Sequence, residues 1–247
     1  KIDTEGLEFE VVFSNVEELN KFAFQAKLDI TKLSYHAFTH CVEDYILLDS
    51  GSALGNNCGP LLIKKPNAIL TKDSKIAIPG EYTTANMLLS FAFPHYQNKK
   101  EILFSAIEDN VLDGQVDAGL IIHENRFTYQ QRGLEKVKDL GEFWEETTGL
   151  PIPLGGIVVK RDLFLPVQQK IERVLKRSVE YALENRDSSS EFIKLHAQEM
   201  EKEVVYAHIN LYVNEYSVSL GEQGKKAVKM LFEKSGKEYS TLFVGIV

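Results

Sequence analysis

Short apolar runs alternate along the chain with longer stretches in which apolar residues recur at every third or fourth position. That alternation is the pattern of strands interleaved with helices, an α/β fold class. The runs predict strands at Leu7–Phe13, Leu28–Ser34, Tyr45–Asp49, Leu61–Lys64, Lys75–Pro79, Ala118–Ile122 and Gly156–Lys160. Ser14 and Glu17 stand in S-x-x-E spacing, a capping-box pattern that opens a helix with Val16, Leu19, Phe22 and Ala23 on one face. Further helices are predicted from Thr84 to Phe91, from Lys99 to Leu112 and around Trp144. From Asp162 to Lys234 the pattern is almost wholly helical, with Ile171, Val174, Leu175, Val179 and Ala182 in register and Pro166 in a first turn.

One local pattern occurs twice. Ala26-Lys27-Leu28-Asp29 leads into Ile30–Leu33 and ends in Ser34; Gly114-Gln115-Val116-Asp117 leads into Ala118–Ile122 and ends in His123. Ligands of open α/β sheets sit beyond the carboxyl ends of strands. Two such units predict Ser34 and His123 on facing lobes of one cleft. The segment Lys65–Asp73 reads as a crossover between lobes and Gly149–Gly156 as the return. Lobe one is therefore expected at residues 1–72 and 160–247, with lobe two inserted at 73–159. Paired crossovers allow a hinge.

Composition narrows the classes. The 247 residues suffice for one large core or two modest ones. A formal charge of -8 argues against a nucleic-acid surface, which needs clustered Lys and Arg. No apolar run reaches the roughly 18 residues of a membrane span, so a cytoplasmic protein is expected. Cys41 and Cys58 form no C-x-x-C pair, which leaves neither a disulfide framework nor a zinc site to expect. The chain opens Lys1-Ile2-Asp3 without an initiator Met or an apolar signal core. The expectation is that the sequence begins inside a longer one.

Three segments could carry chemistry. Ile76–Gly80 runs through Glu81-Tyr82-Thr83-Thr84-Ala85 into an apolar helix. Free N–H groups and the hydroxyls of Thr83 and Thr84 at a helix N-terminus can hold a carboxylate; either threonine can equally serve only as a cap. Ser50-Gly51-Ser52 opens a glycine-rich stretch reaching Pro60, suggesting backbone that approaches something closely. It lacks both G-x-x-x-x-G-K-[ST] and G-x-G-x-x-G before a helix, so no nucleotide cofactor is expected. His123 ends an apolar strand and is followed by Glu124-Asn125-Arg126, a setting that tunes an imidazole. His36 could border the cleft, whereas His196 and His208 lie in helical pattern and read as packing or surface residues. No G-x-S-x-G elbow supports acyl transfer.

Several strings together resemble the 1,4-dihydroxy-6-naphthoate synthase family. They are Thr31-Lys32-Leu33-Ser34-Tyr35, Ser50–Gly55, Gly80 with Thr83-Thr84-Ala85, Ala118–Glu124 with its I-I-H-E, and Trp144–Gly155 with W-E-E-x-T-G-L-P-x-P-L-G. The resemblance extends to about Val213. It implies a two-lobed periplasmic-binding-protein-like fold with a hinged central cleft. It also implies a carbon–carbon lyase of the futalosine route to menaquinone, which converts cyclic dehypoxanthinylfutalosine to 1,4-dihydroxy-6-naphthoate without metal or organic cofactor. The resemblance makes His123 the catalytic residue. Ser34, Ser50, Gly51, Ser52, Thr83 and Thr84 become substrate-binding groups. The implied partner is a small molecule bearing a carboxylate, with no nucleic acid or membrane and the oligomeric state open. An S-x-C-P-N-D-T-F loop of the family has no counterpart here. A solute-binding protein of the same fold and the sister enzyme chorismate dehydratase are the alternatives.

Overall fold

A computed structural model describes residues 2–196, 202–239 and 241–245, with backbone alone at 194, 196 and 202. The outermost expected limits of lobe one, residues 1 and 247, lie outside this description.

Among the described residues nine strands divide between two sheets. The first holds β1 (Ile30–Ser34), β2 (Tyr45–Leu47), β3 (Ala53–Gly55) and β9 (Ile152–Lys160). All three earlier strands pair antiparallel with β9, which is buried at six of its nine positions. The second sheet has the order β6-β5-β7-β4-β8: β4 (Leu61–Lys64), β5 (Ile76–Ile78), β6 (Lys99–Glu101), β7 (Ala118–Ile121) and β8 (Glu135–Asp139). Within it β5 runs parallel to β6 and β7, and β4 runs antiparallel to β7 and β8. Sheet membership therefore changes between Gly55 and Leu61 and again between Asp139 and Ile152, not at 72/73 and 159/160. Residues 61–64 lie in the second sheet and 152–159 in the first. What marks the true crossover is close packing: a Cβ on Gly59 would lie 2.2 Å from the Gly141 nitrogen. Arg126 donates to the Gly59 carbonyl and pairs with buried Asp139 at 2.6 Å, fixing that contact.

Most helices follow the expected periodicity. Val16–Phe24 buries Ala23, although Asn15 rather than Ser14 caps it by accepting from the Glu18 N–H. Thr84–Ala92 is capped by Thr83, and Leu140–Thr148 by Asp139, ending at left-handed Gly149 with φ 68°. Leu165–Glu184 carries Pro166 in its first turn and buries Ile171 and Val174. Two predictions failed. Leu7–Phe13 forms no strand, and Phe9, Val11, Val12 and Phe13 stay exposed, because no neighbouring strand completes a ladder there. Lys99–Leu112 is not one helix. Its first residues pair beside β5 as β6, then a 3₁₀ turn at Phe104–Ala106 leads into the short helix Ile107–Leu112. Sheet pairing overrides helical periodicity at that edge.

Among the described residues no helix is long and apolar enough to cross a membrane.

Candidate active site between the sheets

A cleft with an open volume of about 690 Å³ lies where the two sheets face each other. The first sheet contributes Lys32, Ser34, Ala53 and Leu154, and the second lobe contributes Thr83, Thr84 and His123. His208 and Tyr212 reach it from the helix Lys202–Tyr212. The residues ending the two repeated units, Ser34 and His123, thus line one space from opposite sides.

His123 lies two residues past the end of β7 and holds a left-handed backbone, φ 58°, uncommon for a residue with a side chain. That turn takes the chain off the strand into the helix Asn125–Thr128. Its ring packs edge-on against Phe104 at 5.1 Å and lies 5.9 Å from the His208 ring. Burial, then the positive charge of Lys32, then His208 hold the imidazole down to about 3, so at neutral pH it is uncharged. Among the described residues no hydrogen bond joins this ring to a carboxylate.

Lys32 projects from β1 into the cleft, and no acid pairs with it among the described residues. The surrounding protein lowers its affinity for a proton. In a chain of net charge -8, an unpaired ammonium beside two imidazoles makes this cleft a local site for anions. Strand alternation hid Lys32 from sequence reasoning, because an isolated Lys on an edge strand reads as a solvated position. Its place in the T-K-L-S string, two residues before Ser34, was the available signal. His208, expected as a packing or surface residue, instead lines the cleft, with its Nε2 buried and without a hydrogen-bond partner among the described residues.

The other expected donors are partly engaged within the protein. Thr83 Oγ1 accepts from the Asn86 N–H and donates to the Gly80 carbonyl at 2.8 Å. Thr84 Oγ1 donates to the Leu154 carbonyl at 2.7 Å and accepts from the His36 N–H at 3.2 Å. Behind it, His36 Nδ1 contacts the Thr83 carbonyl and burial brings that ring down to about 4. Thr84 and Ala85, the first two residues of this helix, both line the cleft, and their backbone N–H groups have no partner within the helix. Ser34 has its N–H held by Asn20 Oδ1 at 3.0 Å and its hydroxyl at 3.4 Å from Asn20 Nδ2, so it faces the cleft in a fixed pose.

The Ser50-Gly51-Ser52 turn does not line the cleft. The N–H of Ser50 donates to Glu172 Oε1 at 3.0 Å and its hydroxyl to the Val218 carbonyl. Ser52 Oγ meets the Tyr35 hydroxyl at 2.6 Å. Gly51 has φ 86°, and a Cβ there would lie 2.6 Å from Ile157 Cδ1. The close approach signalled by its glycine is to the protein's own strand and helix, not to a ligand. Cys58 lines the cleft, but burial pushes its thiol up to about 12, which leaves it unreactive at neutral pH.

Similarity to known proteins agrees with this geometry. Residues 1–237 match the model of a family described as menaquinone biosynthesis. A Thermus thermophilus protein named 1,4-dihydroxy-6-naphthoate synthase is 42% identical over 226 residues, covering 92% of this chain and 83% of its own length. A Streptomyces coelicolor protein of the same name is 38% identical, covering 93% of this chain and 83% of its own. The crystal structure of protein AF1704 from Archaeoglobus fulgidus superimposes with a TM-score of 0.89 at 36% identity, over 94% of this chain and 87% of that one. A Candida albicans protein with the generic periplasmic binding protein fold gives 0.63 at 12% identity, over 89% and 76% of the two chains. The last likeness concerns the fold alone: two lobes around a cleft.

Proposed function

The chain belongs to the menaquinone biosynthesis family, and we propose that it is itself a 1,4-dihydroxy-6-naphthoate synthase, a carbon–carbon lyase acting on cyclic dehypoxanthinylfutalosine. The observation that carries this reading is the convergence of His123 from one lobe and unpaired Lys32 from the other on a single cleft. The substrate carboxylate docks on Lys32 and on the free N–H groups opening the helix Thr84–Ala92, and Ser34 adds a hydroxyl. That places an acidic C–H against His123. The imidazole takes the proton, the C–H electron pair forms a double bond, and the sugar-derived remainder departs as the bicyclic product becomes aromatic. General-base help of this kind is worth about 10²–10⁴-fold in rate.

On its own His123 is a weak base at neutral pH, since burial above all holds its proton affinity down to about 3. Part of that depression is the charge of Lys32. A bound carboxylate offsets this charge and raises the imidazole towards its ordinary value. Such coupling suits a cytoplasmic enzyme that uses only its side chains.

Incubation of the purified protein with cyclic dehypoxanthinylfutalosine tests the proposal. Formation of 1,4-dihydroxy-6-naphthoate, lost in His123→Asn, is the expected result. Binding without turnover would favour a solute-binding role, and dehydration of chorismate would identify the sister enzyme.

A further inference from the structure

A base that removes a proton from carbon must keep it until the reaction is over. In imidazole bases that task commonly falls to a group on the second ring nitrogen, which fixes the tautomer and spreads the charge. Here the usual partner is missing among the described residues, because no carboxylate hydrogen-bonds to His123. What stands beside it is His208, delivered from the opposite lobe by the helix Lys202–Tyr212. The ring centroids are 5.9 Å apart with the planes inclined by 52°. Tyr212, one helical turn further on, backs His208 at 4.6 Å, and Phe104 closes the far side of His123 at 5.1 Å. The Nε2 atom of His208 is buried and has no hydrogen-bond partner among the described residues. A sealed nitrogen with nothing to bond is a group in waiting.

Building on the base role proposed for His123, we infer that His208 is a positioning residue whose free Nε2 accepts a hydrogen bond from the His123 imidazolium, so that the two rings hold the abstracted proton together. The step balances without any co-reactant. The substrate C–H bond breaks and its electron pair stays on carbon. The proton joins one nitrogen of His123, and the N–H on the other nitrogen donates to His208, which is in its Nδ1–H tautomer. The charge is shared across the cleft, and the proton returns to product or solvent as the lobes open.

The neighbouring groups bear on how this pair titrates. Lys32 on β1 faces both rings and disfavours a second positive charge. Among the described residues, Tyr212, Cys58, Glu124, Arg126 and Asp139 are the other titratable groups at this end of the cleft, and burial keeps the tyrosine and the thiol protonated at neutral pH. His208 depresses His123 only through its own charge, so a second proton on the pair is disfavoured, whereas a neutral His208 remains able to accept from a singly protonated pair.

The test compares His208→Phe, which keeps a ring and loses the acceptor, with His208→Gln, which keeps an acceptor. Both are assayed for turnover of cyclic dehypoxanthinylfutalosine across pH, and each is melted against the parent. The Phe variant is expected to lose 10- to 100-fold in kcat with KM within about threefold, and the ascending limb of its kcat–pH profile should move to lower pH. The Gln variant should recover part of both. A Phe variant with parental kcat and limb overturns the inference. So does a loss of kcat with an unmoved limb and no recovery in Gln, which marks a structural role. If Phe melts early, His208→Met carries the same comparison. Failure of the base reading would look different: His123→Asn would keep its turnover.

Discussion

The Thr84 hydroxyl donates to the Leu154 carbonyl at 2.7 Å, tying the helix start of the second lobe to the central strand of the first. The same oxygen accepts from the His36 N–H on the helix Tyr35–Cys41. A side chain of the type that binds carboxylates serves here as a latch across the cleft, while the backbone beside it stays free for ligand. Thr84→Val keeps the shape and removes both bonds, leaving a buried carbonyl and N–H unmatched. The variant should lose about 1–3 kcal/mol of stability by urea unfolding. Its KM should rise more than its kcat falls, and an unchanged unfolding midpoint would contradict the latch.

His123→Asn should bind substrate within a few-fold of the parent by calorimetry and lose about 10²–10⁴-fold in kcat. Wild-type turnover in that variant would remove the imidazole from the proton transfer.

Lys32→Met removes a cation of the cleft that has no acidic partner among the described residues. Charge-assisted hydrogen bonds contribute about 1.5–3 kcal/mol, so substrate affinity should fall roughly 10- to 100-fold. Since Lys32 also holds His123 down, histidine NMR of the ligand-free variant should show the His123 resonance titrating at higher pH than in the parent. No movement would mean that the two groups do not sense each other.

Gly59→Ala places a methyl 2.2 Å from the backbone nitrogen of Gly141, an atom that cannot swing aside. The expected loss is about 3 kcal/mol or more, read from chemical denaturation. A near-neutral result would show that the crossover is looser than its packing implies.

Acid should weaken the fold through its sealed imidazoles. His36 and His208 are lowered to about 4 and His123 to about 3, in each case chiefly by burial. Groups held below the free-imidazole value stabilise the fold above about 6.5, and that contribution is lost as pH falls towards their folded values. Each costs at most about 1.36 kcal/mol per unit of pH over that window, less where cleft water reaches the ring. Burial raises Glu17 and Glu172, which act in the opposite direction. Comparison with a variant isolates the histidine effect: His36→Asn should narrow the gap between melting temperatures at pH 7.5 and pH 5. An unchanged gap would assign the acid sensitivity elsewhere.

Much of this arrangement was written locally. The caps at Thr83 and Asp139, Pro166 at the start of its helix, and an apolar strand ending two residues before His123 all follow from neighbours within a few residues. The glycine-rich turn at Ser50 was legible as a close approach, but not as one directed at Ile157 and Glu172, more than a hundred positions away. Lys99–Glu101 carries a helix-like pattern and becomes a strand only because β5 offers it an edge. His208 and Lys32 were missed for a related reason. Their meaning lies in facing His123 from the other lobe, and one chain read in order shows no such juxtaposition.

The register of β9 has a consequence for how the molecule is made. This one strand pairs with β1, β2 and β3, matching Ile30 with Val159 and Gly55 with Ile152. Every strand of the second sheet lies between those partners in the chain. On the ribosome the first sheet must therefore wait, its three early strands unsatisfied, while the inserted lobe is synthesised and given the first chance to fold.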